Sequence, residues 1–271
     1  GSLFIATAMR ILAPLVGIAI ACFLQCSSVP LKAVPNDSGL GSAVKASFGF
    51  DYLHLVQEWP GSFCDTKMGC KWPAVQPASG WLLHGLWPEF NNGSWPQYCD
   101  PSAPFNMSAI DDLLPELQEY WPSLVSPDQA SFWNHEWTRH GTCAEGLTPR
   151  EQDYFRLVLN LREQFDVKAI LDAAGIVAGG PATTWTAVKG ALDAALRFQV
   201  EVGCNTDVQG RLQLYEVRAC FRPVPASAGG LGAGVVAAED CPNAASAVAC
   251  GTPLAPILVP PLLHSPAAAP R

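Results

Sequence analysis

The sequence has 271 residues, of which 49% are hydrophobic and only 15% are charged. Such a chain can bury the core of one domain of about 200 residues. A formal net charge of −8 and a pI near 5.0 are unfavourable for binding phosphate groups, which cations attract. The composition therefore excludes a protein that binds nucleic acid through overall positive charge at neutral pH.

The N-terminal part has the pattern of a secretory signal peptide. After Met9-Arg10, residues 11–24 form an apolar run that proline and glycine interrupt, and small residues follow. A transmembrane helix needs about 20 apolar residues, so a membrane anchor is the weaker alternative. We expect residues 1–28 to be upstream residues plus a signal peptide that starts at Met9, and residues 29–47 to be a linker or short propeptide.

Strands and helices are predicted along the rest of the chain. Runs of aromatic and β-branched residues predict strands, whereas apolar residues three and four apart predict helices. We expect strands at 50–59, at 81–83 leading directly into His84, at 198–202 and at 212–221. We expect helices at 111–120, from 128 through His140, at 149–165 and at 183–196. Because strand follows strand late in the chain, we predict an α+β fold with antiparallel strands.

Cysteine content indicates an exported, disulfide-bonded chain. Removing Cys22 and Cys26 with the signal peptide leaves an even number of cysteines, which allows many pairings. A zinc site is the weaker alternative, because no two of these cysteines have CxxC spacing. Sequons at Asn92 and Asn106 are candidate glycosylation sites. The remaining cysteines are Cys64, Cys70, Cys99, Cys143, Cys204, Cys220, Cys241 and Cys250.

Three of the five histidines lie in two segments rich in tryptophan. The first segment, WLLHGLWP at 81–88, contains His84; the second, FWNHEWTRHGTC at 132–143, contains His135 and His140. One histidine beside tryptophan is most often a buried structural residue. Three histidines interleaved with Glu136 and Arg139 favour a catalytic site.

The spacing in the second segment argues against a zinc protease. His135-Glu136 resembles the beginning of an HExxH helix, which needs two histidines four residues apart. His135 and His140 are five residues apart, about 140° on a helix, so we expect no metal site. Glu136 lies one turn before His140, and His135 lies one turn before Arg139. We expect Glu136 to raise the pKa of His140 and orient its ring, and His135 with Arg139 to bind an anion such as phosphate.

A pair of histidines supports acid–base catalysis. With an ordinary pKa of about 6.5, one imidazole can accept a proton from an attacking hydroxyl while the other donates a proton to a leaving oxygen. A nearby cation stabilises the charge that builds on phosphorus. RNA carries its own nucleophile, the 2′-hydroxyl, which DNA lacks. The residues therefore point to cleavage of RNA without a metal or cofactor.

Both segments resemble the active-site segments of the ribonuclease T2 family. The resemblance extends over residues 48–251, including VQEWPGSFCDT and QLYEVRAC, and is strongest to plant S-like members. It implies a ribonuclease domain at 48–251, with a twisted antiparallel β-sheet flanked by helices. It also implies His140 as general base, His84 as general acid and His135 as a phosphate-binding residue. Glu136 and Arg139 would stabilise the transition state, and the product would be a 2′,3′-cyclic phosphate.

Base-binding residues and a disulfide pairing are implied by the same resemblance. Trp87 and Glu89 correspond to one base site of the family, and Gln57 and Phe132 correspond to the second. Aromatic stacking suits every base, so we expect low base specificity. Of the other tryptophans in the second segment, we expect Trp133 and Trp137 to pack in the core. The implied disulfides are Cys64–Cys70, Cys99–Cys143, Cys204–Cys250 and Cys220–Cys241.

Three features depart from the family pattern. Arg139 stands where the family usually has lysine; arginine is also a cation but is planar and bulkier, and we expect activity to survive. Lys71 and Ser126 stand where plant relatives often have a further cysteine pair, so no unpaired thiol is left. The apolar Pro/Ala-rich extension at 252–271 is longer than an enzyme needs. The sequence leaves open a vacuolar sorting signal, a disordered end or an artefact of the gene.

The acidic composition favours work at acid pH, where the net charge approaches zero as carboxylates and histidines take up protons. We therefore predict a monomeric, secreted acid ribonuclease of the apoplast or vacuole, which cleaves single-stranded RNA but not DNA. After removal of the signal peptide we expect no membrane association. The alternatives are a self-incompatibility ribonuclease, which the acidity disfavours, a storage or defence protein that has lost catalysis, which the intact histidines disfavour, and a zinc hydrolase.

Overall fold

A computed structural model describes residues 48–70, 80–224, 236–246 and 248–262. The predicted signal peptide and linker, and the last part of the C-terminal extension, lie outside these residues. The strands are β1 (Tyr52–Glu58), β2 (Leu82–Glu89), β3 (Thr183–Thr184), β4 (Glu201–Thr206), β5 (Leu212–Pro223), β6 (Val236–Glu239) and β7 (Pro256–Ile257). The α-helices are α1 (Pro60–Cys64), α2 (Leu114–Tyr120), α3 (Gln129–Arg139), α4 (Glu151–Gln164), α5 (Val167–Ala173) and α6 (Trp185–Leu196). Short 3₁₀ helices cover Met107–Leu113, Gly141–Ala144 and Val248–Cys250.

The main sheet is antiparallel and has the strand order β2-β1-β5-β4, with β6 also paired to β5. All seven residues of β1 are buried, and this strand lies inside the sheet between β2 and β5. Helix α4 packs against β1 and β2, and the Tyr154 hydroxyl donates to the backbone oxygen of Leu86 at 2.9 Å. The predicted α+β fold is confirmed.

Strand β2 is longer than the sequence predicts. We expected a short strand that ends at Leu83, but pairing with β1 continues through Glu89, so His84 lies inside the strand. Proline cannot donate a ladder hydrogen bond and is tolerated mainly at sheet edges. Since β2 is the edge strand, Pro88 does not interrupt it. The sheet therefore holds His84 more firmly than a loop would.

Helix α3 begins where the sequence predicts it but ends earlier. The Asp128 side chain accepts a hydrogen bond from the Ser131 backbone N–H at 3.0 Å, which satisfies a free donor of the first turn. The last helical residue is Arg139, and His140 is the C-cap, with φ −116° and ψ −48°. We expected His140 within the helix. The helix therefore ends one residue earlier than expected, although the His140 backbone N–H still donates to the Glu136 oxygen at 3.1 Å.

Three buried tryptophans lie around α3 and β2, and each indole N–H donates to a backbone oxygen. Trp121 donates to His84, Trp133 to Trp121 and Trp137 to Ala103, each at 2.9 Å. A buried indole normally needs such a partner. Trp133 and Trp137 therefore pack in the core, as expected, and Trp121 fixes the backbone of His84.

Four disulfides are present, and they join the same pairs that the family resemblance implies: Cys64–Cys70, Cys99–Cys143, Cys204–Cys250 and Cys220–Cys241. The second ties the loop after β2 to the 3₁₀ turn after α3. The first part of the C-terminal extension packs on the domain, because Ile257 is buried and pairs with Thr183. Within the described ranges, no helix is long and apolar enough to span a bilayer.

Candidate active site

An open cavity of about 420 Å³ lies between β1, β2, the end of α3 and the β4–β5 side of the sheet. It brings together seven residues that the sequence singles out: His84, Trp87, Glu89, His135, Glu136, Arg139 and His140. Further lining residues are Tyr52, His54, Gly93, Trp95, Glu201, Arg218 and Asn243. Two segments about fifty residues apart therefore form one concave site.

His84 projects from β2 and contacts two buried carboxylates. Its Nδ1 lies 2.8 Å from Glu216 Oε1 and 3.9 Å from Glu58 Oε2. Burial alone lowers the pKa of His84, but Glu58 and the hydrogen bond with Glu216 raise it to about 9. His84 is thus held protonated at neutral and acid pH. The sequence prediction missed both carboxylates, because β1 and β5 each carry other polar residues and nothing in the sequence marks these two.

His140 has the opposite charge state. Burial, followed by the charges of Arg139 and His135, lowers its pKa to about 3. The expectation that Glu136 raises this pKa is wrong. Glu136 is 2% exposed, and its Oε2 accepts a hydrogen bond from Trp87 Nε1 at 3.1 Å. Among the described residues His140 Nδ1 has no hydrogen-bond partner, and the imidazole stacks on Trp87 with 5.3 Å between ring centroids.

Glu136 has a raised pKa. Burial dominates and, against the opposing charge of His84, brings the pKa of this carboxyl to about 7. The glycine at 85 makes room for it, because a Cβ at this position would collide with Trp87 Nε1 and Glu136 Oε2. Residue 85 therefore has to be glycine for the carboxylate to lie against β2.

His135 and Arg139 line the cavity side by side. His135 is exposed, and burial of part of its ring, with the charges of Arg139 and His84, lowers its pKa below the ordinary value. Below that pKa the two side chains present two positive charges to the cavity. This arrangement is the one predicted for an anion site.

The predicted base-binding residues divide into two groups. Trp87 and Glu89 lie in the cavity wall, and Glu89 Oε1 is 3.6 Å from His54 Nδ1. Gln57 is 1% exposed, and its Nε2 donates to the backbone oxygen of Phe165 at 2.7 Å. Phe132 packs edge-on against a core tryptophan and does not line the cavity. Neither Gln57 nor Phe132 lines this cavity, since Gln57 is buried and Phe132 is half-buried against the core, so the second base site stays a prediction.

A fourth histidine in the wall was also missed by the sequence prediction. His54, from β1, is 5% exposed and lies between Glu89 and Glu201, each 3.6 Å from one ring nitrogen. Its signal is a polar residue between the apolar neighbours Leu53 and Leu55 of a predicted strand. The sequon residues Asn92 and Asn106 are exposed, so a glycosyltransferase can reach them, and glycosylation stays a prediction.

Two groups of described side chains at the site have the composition of a divalent-metal site. The ligand atoms of His135, Glu136 and His140 lie within 4.8 Å of one another, as do those of Glu58, His84 and Glu216. The helical spacing suggested that His135 and His140 face apart. In the structure the centroids of the two rings are 6.3 Å apart. The spacing alone therefore does not exclude a metal.

Known proteins match most of this chain. The sequence model of the Ribonuclease T2 family matches residues 50–227. The extracellular ribonuclease LE of Solanum lycopersicum is 40% identical over 182 residues, which cover 66% of this chain and 79% of that protein. Ribonuclease 1 of Arabidopsis thaliana is 38% identical, with the same coverage of both chains. The crystal structure of RNase NT in complex with 5′-AMP has a TM-score of 0.66 at 34% identity, and the match covers 78% of this chain and 98% of that chain.

Proposed function

This chain belongs to the ribonuclease T2 family, alongside plant enzymes of the S-like type, and we propose that it is a secretory endoribonuclease that cleaves single-stranded RNA. The reaction is transphosphorylation to a 2′,3′-cyclic phosphate by two histidines. It needs no metal, has low base specificity and is fastest at acid pH. The four disulfides support an oxidising compartment, and the predicted signal peptide supports secretion or transport to the vacuole.

One observation carries the proposal: His84 and His140 line one cavity, each against the ring of Trp87, and their surroundings shift their pKa values in opposite directions. His140, with a pKa of about 3, is neutral and accepts the proton of the 2′-hydroxyl. The 2′-oxygen forms a bond to phosphorus while the bond to the 5′-oxygen breaks. His84, with a pKa of about 9, is protonated and donates its proton to that leaving oxygen. The cyclic product is then hydrolysed slowly to a 3′-phosphate, with the two histidines in exchanged roles.

The phosphate is bound by the neighbouring groups. Protonated His135 and Arg139 stabilise the charge that develops on the non-bridging oxygens. Glu136, with a pKa of about 7, is a neutral acid at mildly acid pH and can donate a hydrogen bond to one of those oxygens. These local donors explain how a chain with a net charge of −8 binds RNA.

The substrate is limited to RNA by its nucleophile and to single strands by the wall of the cavity. DNA lacks the 2′-hydroxyl, so it cannot form the cyclic product. Trp87 offers a ring face to an unstacked base, and Glu89 accepts hydrogen bonds from base amino groups. All the groups named come from one chain, which supports action as a monomer.

We expect the rate of RNA cleavage to have an acid optimum and to be unaffected by a chelator. The positive charge of His135, which binds the phosphate, is lost as the pH rises through the pKa of this imidazole, and that pKa lies below the ordinary value. The neutral form of His140 is lost only near pH 3. The optimum therefore lies between these two limits. It is measured with purified protein on an RNA gel from about pH 4 to about pH 9, with and without EDTA.

Each alternative function predicts a different result in this RNA cleavage assay. An absence of cleavage at every pH would favour a storage or defence protein that has lost catalysis. Cleavage that EDTA abolishes would favour a metal-dependent hydrolase that uses one of the two candidate ligand groups. Activity that stays constant up to about pH 8 would contradict the role of His135 in phosphate binding.

Arg139→Ala is expected to lower kcat/KM by about 10- to 100-fold, because one charge-assisted hydrogen bond contributes about 1.5–3 kcal/mol. It should also raise the pKa of His135, since the Arg139 charge lowers it, and so move the alkaline fall in activity to higher pH. Arg139→Lys should keep most of the activity. Steady-state kinetics at several pH values measure all three effects. The matched control is Arg150→Ala, at an exposed ion pair with Asp153 away from the cavity; equal losses in both variants would contradict the assignment.

A further inference from the structure

The side of the His84 ring away from the cavity is occupied by an acidic pair that the reaction scheme does not use. Glu58 and Glu216 lie directly opposite each other on the paired strands β1 and β5, and both are at most 5% exposed. Two carboxylates in such positions repel each other, and burial makes the repulsion stronger. The repulsion is relieved by a proton on one carboxyl or by a cation beside the pair, and His84 Nδ1 lies within 3.9 Å of both side chains.

We infer that Glu216, assisted by Glu58, is a positioning residue that accepts the Nδ1 proton of His84 and thereby directs the Nε2 proton into the cavity. This inference rests on the proposed function, since it explains how the general acid is kept ready. Glu216 touches neither substrate nor reacting atoms in this assignment. Its effect on the reaction passes through the tautomer, the orientation and the charge of His84.

The distances support one dominant partner. The contact from His84 Nδ1 to Glu216 Oε1 is 2.8 Å, a normal hydrogen bond, whereas the contact to Glu58 Oε2 is 3.9 Å. Arg218 Nη2 lies 2.7 Å from the other oxygen of Glu216, which leaves Oε1 to the imidazole. The Tyr215 hydroxyl donates to Glu58 Oε2 at 3.2 Å. Each carboxylate is thus fixed by a second partner, and both of these partners lie on β5.

The charges that face His84 come from three elements. Glu58 on β1, Glu216 on β5 and Glu136 on α3 favour the protonated ring. His135 and His140, at the end of α3, oppose it when they are charged, and His84 in turn lowers the pKa of both. The acidic groups outnumber the cationic ones on the described elements around the ring.

The two carboxylates contribute unequally. Burial raises the pKa of Glu58 to about 7, so this side chain is mostly neutral at acid pH. Burial also acts on Glu216, but the hydrogen bond with His84 and the charge of Arg218 lower its pKa to about 2. Glu216 therefore carries the counter-charge throughout the working range, and Glu58 adds charge only near neutral pH and above.

The test is an NMR titration of the His84 ring in the full-length enzyme and in Glu216→Gln. We expect the pKa of His84 to fall from about 9 to about 7 or lower in the variant. We expect a smaller fall in Glu58→Gln. The ratio of variant to wild-type kcat should be close to one at about pH 5 and fall roughly tenfold by about pH 8, because less His84 is protonated there. A structural role alone would lower kcat by the same factor at every pH.

Glu239→Gln is the matched control, because Glu239 is a partly buried carboxylate on β6 that contacts Arg222 rather than His84. Its His84 titration should equal that of the wild type. The wild-type enzyme supplies a second readout if Glu216→Gln does not fold: ¹⁵N shifts of neutral His84 above about pH 9 should show the proton on Nδ1. A proton on Nε2 there, or an unchanged pKa in Glu216→Gln, would overturn the inference. Failure of the proposed function would instead appear as normal activity in an enzyme that lacks His84.

Discussion

Replacing either His84 or His140 by alanine is expected to lower kcat for RNA cleavage by about 10²–10⁴. Without His84 the 5′-oxygen must leave as an unprotonated alkoxide. Without His140 no neutral base lies beside the 2′-hydroxyl. His84→Ala should lower kcat at every pH, and its residual activity should show no alkaline fall near pH 9, where the wild-type His84 loses its proton. Initial rates on a single-stranded oligonucleotide with one ribonucleotide measure these effects.

The control for this pair is His264→Ala, a histidine beyond residues 50–227 that the family matches. Its kcat should equal that of the wild type. Thermal unfolding of all variants separates loss of chemistry from loss of fold, which matters for His84→Ala because it leaves Glu216 without its hydrogen-bond partner. More than about a tenth of wild-type turnover in either folded variant would contradict the assigned roles.

The site residues that the sequence predicted best are those that lie close together in the sequence. His135, Glu136, Arg139 and His140 lie within one helix and its cap, so the motif alone brings them together. The exact direction of His140 was not predictable, because a helical wheel holds only while the helix continues. His140 is the C-cap of that helix, and its ring centroid lies 6.3 Å from that of His135.

Site residues on strands are harder to predict than those on a helix. Gln57 was chosen as a site residue, but its neighbour Glu58 is the one that faces His84, and Gln57 points to the other side of β1. Successive side chains on a strand face opposite sides of the sheet, so an error of one position moves a residue from the site to the core. On a strand buried on both faces, apolar alternation gives no signal that would distinguish the two.

The contact of Glu216 with His84 could not be predicted from the sequence, for a different reason. It lies 132 residues from His84 in the chain, and the contact exists only because β5 pairs with β1, which pairs with β2. The sequence predicts both strands but not their order in the sheet. The pairing of β1 with β2 and β5 therefore determines the pKa of the general acid. The first histidine segment indicates only that His84 is that acid.

The close approach of β2 and α3 should make Gly85→Ala as harmful to the site as loss of a catalytic group. The backbone at Gly85 is not left-handed, so alanine is excluded by space alone. Its methyl group would collide with Trp87 Nε1 and Glu136 Oε2, and breaking the hydrogen bond between them would displace the ring on which His140 stacks. A displacement of about 1 Å at a reacting group can cost about 10² in rate. Overpacking should also cost about 1–3 kcal/mol of unfolding free energy.

Gly190→Ala provides the matched comparison, because Gly190 lies inside α6 and a Cβ there meets no atom within 4 Å among the described residues. Alanine in an exposed helix interior should stabilise the protein by about 0.5–1 kcal/mol and leave kcat unchanged. Urea unfolding and steady-state kinetics on the two variants therefore give opposite signs for stability from the same chemical change. If Gly85→Ala kept both its stability and its kcat, β2 and α3 would not approach as closely as the hydrogen bond between Trp87 and Glu136 requires. The positions of the general acid and the general base would then not depend on the contact between β2 and α3.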